Sequence, residues 1–188
     1  MKKILLSVGL MVLVTHAQAS IIAFDLRGTA GSGLLAGNEP GAIVGGSGGE
    51  IGAGINYDDI SNSLILNVGW GSSQGFTDLS STASASHIHG PTASVNGAGF
   101  TQTAGVIFSL ARSSSAVTGG TFTGGPISLT EAQEVDLLNG KWYLNLHTVN
   151  NGGGEIRGFL VQAVPEPSVV VLGVLGAGAL LFRLRRRQ

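Results

Sequence analysis

No cysteine occurs in this chain, which excludes disulfide bridges, thiol catalysis and iron–sulfur ligation. Whatever stabilises the fold must come from its core or from bound ligands. Proline is scarce, five in 188 residues, and the 31 glycines keep no three-residue period, so a collagen-like helix is excluded. Charge is sparse as well, at 11 % of the chain. Between residues 20 and 164 there are ten acidic and only four basic side chains, with no basic patch. Nucleic acid is therefore not an expected partner. A continuous apolar run of the roughly 20 residues that span a bilayer is also missing.

What is present divides into two terminal signals and one domain. Lys2 and Lys3 precede the apolar run Ile4 to Val14, and Ala17-Gln18-Ala19 supplies small residues for cleavage. Residues 1–19 read as a secretory signal peptide, leaving Ser20 as the first mature residue. At the other end stand Val164-Pro-Glu-Pro167, an apolar segment from Val169 to Phe182, and a basic cluster from Arg183 to Arg187. That apolar segment makes about 21 Å of helix at 1.5 Å per residue. A hydrocarbon core is roughly 30 Å thick, so a transient membrane association fits better than a permanent anchor. The arginines favour the cytoplasmic side.

Residues 164–188 resemble the PEP-CTERM sorting signal in order and composition. The resemblance implies recognition by an exosortase and the export machinery of a Gram-negative bacterium. It also implies an exopolysaccharide-producing setting, with the mature protein at the outer surface or in the extracellular matrix. Exopolysaccharide or an envelope protein is the partner this setting suggests.

Residues 20–163 have the length of one ordinary domain. Apolar residues alternate in short bursts at Ala23–Leu26, Ile51–Tyr57, Leu64–Val68, Ala104–Leu110, Gly120–Phe122, Trp142–His147 and Glu155–Val161. Period-two alternation between Gly, Ser and Asn turns predicts seven or eight antiparallel strands, hence an all-β sandwich or barrel. Leu64, Leu66, Val68, Val106, Phe108, Leu110, Leu144 and Leu146 are the expected core. One helix is expected at Thr130–Leu138, capped by Thr130 and ended by Asn139-Gly140. The glycine-rich stretch 31–54 reads as long turns around a short strand. Asn150 to Gly154 can turn the last two strands into a hairpin.

His87-Ile88-His89-Gly90-Pro91 is the leading site candidate. In a strand His87 and His89 face the same side, about 7 Å apart at Cα. Two imidazoles at that spacing can converge on one metal ion. His147 and Glu155 flank the hairpin loop, so a third imidazole and a carboxylate can join them. Arg157 shares the face of Glu155 and can pair with a carboxylate. The expectation is a local polar cluster of His87, His89, His147, Glu155 and Arg157. Three readings stand for it: a structural network, a divalent metal centre with His87, His89, His147 and Glu155 as ligands, or an exposed recognition surface.

Other chemistry is thinly represented. No Gly-x-Ser-x-Gly elbow leads into a helix, and no phosphate-binding glycine loop is present. Asp58, Asp59 and Asp78 read as solvated loop residues rather than a calcium site or carboxylate pair. Trp70 and Trp142 read as packing residues, with a saccharide platform as the functional alternative.

Asn38-Glu39-Pro40, Ala85-Ser86-His87-Ile88-His89-Gly90-Pro91, Tyr143-Leu144-Asn145-Leu146-His147-Thr148 and Gly154-Glu155-Ile156-Arg157-Gly158 together resemble the CHRD domain. The likeness covers Ala23 to Gln162. It implies an antiparallel two-sheet immunoglobulin-like sandwich without a general enzymatic activity. The family name comes from chordin, an extracellular antagonist in animals, but that signalling role does not carry over to an envelope protein. The His-x-His strand is also similar to that of copper-zinc superoxide dismutase. The dismutase pattern needs more than the three histidines of residues 20–163, and a disulfide. The function expected is a noncatalytic exported binding or structural protein of the envelope or matrix. A metal-dependent redox enzyme or hydrolase using the histidines is the alternative.

Overall fold

Among the described residues, alternating apolar side chains between glycine- and serine-rich turns form twelve strands, every pair of them antiparallel. The computed structural model describes residues 20–41, 43–123 and 125–164. The expected signal peptide and the sorting segment from residue 165 lie outside the described residues. Among the described residues no helix is long and apolar enough to cross a membrane.

The strands are β1 (Ile21–Gly28), β2 (Gly31–Ser32), β3 (Leu34–Leu35), β4 (Ser47–Asp58), β5 (Ser63–Trp70) and β6 (Ala83–His89). After them come β7 (Val106–Ser109), β8 (Ala111–Arg112), β9 (Gly120–Thr123), β10 (Ile127–Ser128), β11 (Tyr143–Thr148) and β12 (Ile156–Gln162). Their pairing order is β7-β6-β11-β12-β1-β4-β5-β9-β8, with β10 on β5, β2 on β1, and β3 bridging β12 and β4. The result is the all-β sandwich expected.

β1 is the corner between the layers. Its residues Phe24 to Arg27 pair with β12, while Ile21 to Phe24 pair with β4. Ile88, Leu144, Leu146, Ile156 and Leu160 come from one side of that corner. Ile55, Leu64, Leu66, Val68 and Trp70 come from the other, and all ten join a single core.

Trp70 and Trp142 are both buried in this core, so neither offers a flat platform to a ligand. Most of the expected core residues are also buried, with two exceptions. Val106 is 50 % exposed and Phe108 only partly buried. They do not share a face as alternation predicted: a bulge between Ile88 and His89 sets Phe108 opposite Ile88 on the core side and Val106 opposite His89, and among the described residues β7 pairs with β6 alone. An end strand is covered on one side alone.

The glycine-rich stretch 31–54 is more ordered than loose turns. It contains β2, β3 and the first half of β4. Glycine serves close backbone approach here: a Cβ on Gly33 would come within 2.8 Å of the Gly48 carbonyl oxygen. The expected helix forms at Glu131–Leu138. Thr130 accepts from the Gln133 amide, and Gln133 accepts from the Thr130 amide in return. Asp58 and Asp78 accept backbone amides in turns, from Ile60 and Ser72 respectively, which agrees with a solvated-loop role.

Leu144 sits fully buried on a strand paired on both sides. Leu144→Ala should lower stability by about 2–5 kcal/mol in urea denaturation. Val106→Ala, on the exposed end strand, should change it by no more than about 0.5 kcal/mol.

Candidate metal centre and its polar surroundings

The face of β6, β11 and β12 opposite the core carries the chemistry. Asn145 lies across from His87 on one side and Arg157 on the other. Tyr143 lies across from His89 and Phe159. Directly opposed residues share a face, and His147 follows Asn145 by the two-residue period. Ile88, Leu144, Leu146 and Ile156 alternate onto the core side. The polar side is nevertheless covered. Asn38 and Glu39, the segment around Phe100 to Ala104, and the hairpin loop after β11 all make hydrogen bonds or ion pairs with it.

Three imidazoles converge there. One ring nitrogen from each of His87, His89 and His147 lies within 4.8 Å of the others. His87 Nδ1 is 3.0 Å from His147 Nε2, and His89 Nε2 is 3.4 Å from the same atom. The second ring nitrogens of two of them are committed elsewhere. His89 Nδ1 donates to the Ala104 carbonyl at 2.9 Å, and His147 Nδ1 donates to the Gly152 carbonyl at 3.0 Å. A carbonyl only accepts, so both protons must sit on Nδ1.

Burial holds the pKa of all three histidines below the ordinary value. The neighbouring charge of His147 and then His89 adds to burial at His87. At His89 burial outweighs the opposing Ala104 carbonyl, and at His147 it outweighs the Gly152 carbonyl. The rings are thus neutral at neutral pH. Two bare Nε2 lone pairs then face each other at 3.4 Å. His87 can offer one proton to His147, but that leaves His89 Nε2 without a donor. A bound cation would satisfy all three nitrogens at once.

The spacing suits such an ion. Nitrogens about 2.05 Å from a tetrahedral zinc lie roughly 3.3 Å apart. Histidine ligands also commonly donate their other ring nitrogen to a carbonyl, which fixes tautomer and orientation. Both buried histidines here do so.

Glu155 does not join the imidazoles. Its Oε1 accepts from the Gly46 amide at 3.0 Å and the Ser80 amide at 2.6 Å. Its Oε2 accepts from Ser80 Oγ at 2.5 Å, Thr148 Oγ1 at 2.7 Å and Asn151 Nδ2 at 3.1 Å. Burial pushes its pKa up, but these donors outweigh burial and keep the carboxyl ionised below its ordinary range. It ties the hairpin root to segments more than 70 residues away. As a ligand it is displaced from the site by its own hydrogen bonds.

Arg157 does stand beside the imidazoles, linked through an aromatic ring. Its guanidinium carbon lies 5.1 Å from the centre of the Tyr143 ring, and that ring stacks on His89 at 4.9 Å. Arg157 donates through Nε to the Asn38 carbonyl at 2.6 Å, through Nη2 to Phe100 at 2.8 Å and through Nη1 to Gln102 at 3.3 Å. Its carboxylate neighbour is Glu39, at 3.8 Å, rather than Glu155.

Glu39, Tyr143 and Asn145 are the members that sequence reasoning left without a role. A lone carboxylate within the glycine-rich 28–49 stretch was the available signal for Glu39. Burial raises the Glu39 pKa to about 7, with Arg157 and then Asn145 opposing that rise.

The CHRD domain matches residues 34–160, and the chain belongs to this family. All of the site residues named above fall inside the matched span, whereas β1 falls before it. No curated protein and no solved structure matches the chain.

Glu39 yields a pH prediction with a definite sign. Its folded pKa of about 7 exceeds the ordinary 4.5, so the native state binds the proton more tightly. Its contribution to stability is then complete below the ordinary value and is lost as pH rises through about 7. The depressed histidine and Glu155 values act in the opposite sense, losing stability as pH falls. The difference between wild type and Glu39→Gln isolates the effect. In thermal melts Glu39→Gln should gain relative to wild type as pH rises from about 4.5 to 8.

Proposed function

We propose that this CHRD-domain protein is a noncatalytic, exported component of the bacterial envelope or its surrounding matrix. There its domain acts as a binding module that holds a divalent transition-metal ion on His87, His89 and His147. The observation that carries the metal reading is the pair of Nε2 lone pairs 3.4 Å apart, each on a ring whose other nitrogen is tied to a carbonyl. Neutral imidazoles suit zinc, copper or nickel better than the oxygen-seeking magnesium or calcium. Because the rings are already neutral near pH 7, protons compete little with the ion.

The export reading is supported by Lys2-Lys3 with the following apolar run, Ala17-Gln18-Ala19, and the Pro165-Glu166-Pro167 tail with its arginine cluster. Three protein ligands would also leave a metal coordination position open, as in catalytic zinc sites. That feature favours a metal-dependent redox or hydrolytic activity as the second reading. Turnover that disappears in His89→Ala would promote it over the binding module.

Protein purified without a histidine tag should carry about one equivalent of transition metal by elemental analysis. His89→Ala and His147→Ala should lose it. Metal at a hundredfold excess over its Kd should add about 2.7 kcal/mol of stability, and a chelator should remove that increment. Absence of both metal and chelator sensitivity would overturn the metal reading. For export, mass spectrometry of envelope-derived protein should find Ser20 at the N-terminus and no Arg183–Arg187 cluster. An intact chain in the cytoplasm would refute it.

A further inference from the structure

Ser20 and Val164 lie at the same end of the sandwich. The Ala163 amide donates to the Ala23 carbonyl at 2.8 Å, and the Ser20 amide donates to Asp59 Oδ1 at 3.0 Å, in the turn between β4 and β5. β12 runs from the hairpin loop towards this end, so the loop that orients His147 lies at the other.

Apolar side chains are left open here. Ile21, Ile60 and Val164 are 59 %, 61 % and 84 % exposed. Ile21 pairs opposite Asp58, and Ile60 follows in the turn whose Asp59 meets Ser20. A crevice of about 410 Å³ adjoins them, lined by Ser20, Ile21, Ile22, Ala23, Gln162 and Ala163. Single exposed apolar residues need no explanation, but these are grouped beside one crevice.

The sequence that follows selects what covers them. Only Pro165 to Ser168 separate Val164 from the apolar segment Val169 to Phe182. Five residue steps reach at most roughly 18 Å. A domain of this length has a radius of gyration of about 15 Å, so the tether is far shorter than the domain is wide. With that segment in lipid, the Val164 end rather than the hairpin-loop end is brought to the bilayer. Asp58 and Asp59 stand beside Ile60, which sets charge against an anionic surface. Apolar contact with zwitterionic lipid is what this end offers.

We propose that, while the tail is retained, this end of the domain rests on the membrane, with Ile21 and Ile60 entering the zwitterionic lipid interface beside Val164. The proposal rests on the export reading, in which the tail meets a membrane, and stands apart from the metal centre.

The lack of cysteine permits single-site labelling. Ile60→Cys, Val149→Cys and, in the tail, Val171→Cys each carry an NBD fluorophore on the full chain freed of residues 1–19. Each is mixed with phosphatidylcholine vesicles whose acyl chains bear a nitroxide quencher. The labels at positions 171 and 60 should lose emission, while the label at position 149, an exposed site before the hairpin loop, should keep it. Adding Ile21→Ser should restore emission at position 60 and leave position 171 quenched. Phosphatidylglycerol in the vesicles should not increase quenching at position 60. Quenching at position 171 without quenching at position 60 overturns this proposal and leaves the export reading standing. Emission kept at both positions removes the tail from the membrane and overturns the two together. Equal quenching at positions 60 and 149, or quenching at position 60 that needs phosphatidylglycerol or ignores Ile21→Ser, also overturns the proposal. A label at position 60 already shielded from water without vesicles shows the tail or a second copy covering this end, and overturns it too.

Discussion

The buried guanidinium of Arg157 is the group around which the polar half of this protein is arranged. It is 1 % exposed, and a charge with five donors does not leave water unless those donors are met. Three backbone carbonyls take one donor from each of its nitrogens, Asn38 on one side and Phe100 and Gln102 on the other. Asn38 belongs to the stretch between β3 and β4, and the other two to the segment between β6 and β7. One side chain therefore pins two long connections onto the same sheet face. Removing it would leave three carbonyls and the Glu39 carboxyl without their cation in a buried place. Breaking such a pair from one side costs far more than the pair itself contributes.

With those connections pinned, a single strand can serve two environments. Leu144 and Leu146 enter the core, while Tyr143, Asn145 and His147 face the covered polar layer. A slip of one residue in β11 would put imidazole and amide into the core and leucines among the histidines. Register is thus specified from both faces at once. Glu155 reinforces it from the end of the hairpin, where its five donors come from the loop, from β11 and from two distant segments. The carboxylate acts as a clasp. Its rigidity in turn holds the Gly152 carbonyl that orients His147.

Period-two alternation made the strands readable, and with them the shared face of His87 and His89. The Thr130 cap and the Gly140 stop made the helix Glu131–Leu138 readable for equally local reasons. Position within the sheet and a bulge are not local, so alternation could not tell that Val106 sits on an end strand and pairs opposite His89 rather than on the face of Phe108. The Glu155 carboxylate looked available because the residues that occupy it, Gly46 and Ser80, are 109 and 75 positions away. Arg157 was placed beside Glu155 by the same strand logic, while its true ion-pair neighbour, Glu39, comes from another connection altogether. Glycine content misled in the opposite direction. In 31–54 it marks backbones packed too closely for a Cβ, which composition alone does not distinguish from loose turns.

The corner strand β1 carries a kinetic consequence. Phe24 pairs with Gln162 and also with Ile55, so β1 lies between an early neighbour and the last of the described strands. A segment that lacks residues 156–162 cannot complete the β12–β1 junction. Closing so long a loop is entropically slow compared with forming the β4–β5 or β11–β12 hairpins. Those hairpins can form early, but the layer that buries Leu26 against Leu160 waits for the whole domain. A chain of this topology emerging from its N-terminus stays unclosed until the last strand arrives, which keeps it threadable up to that moment.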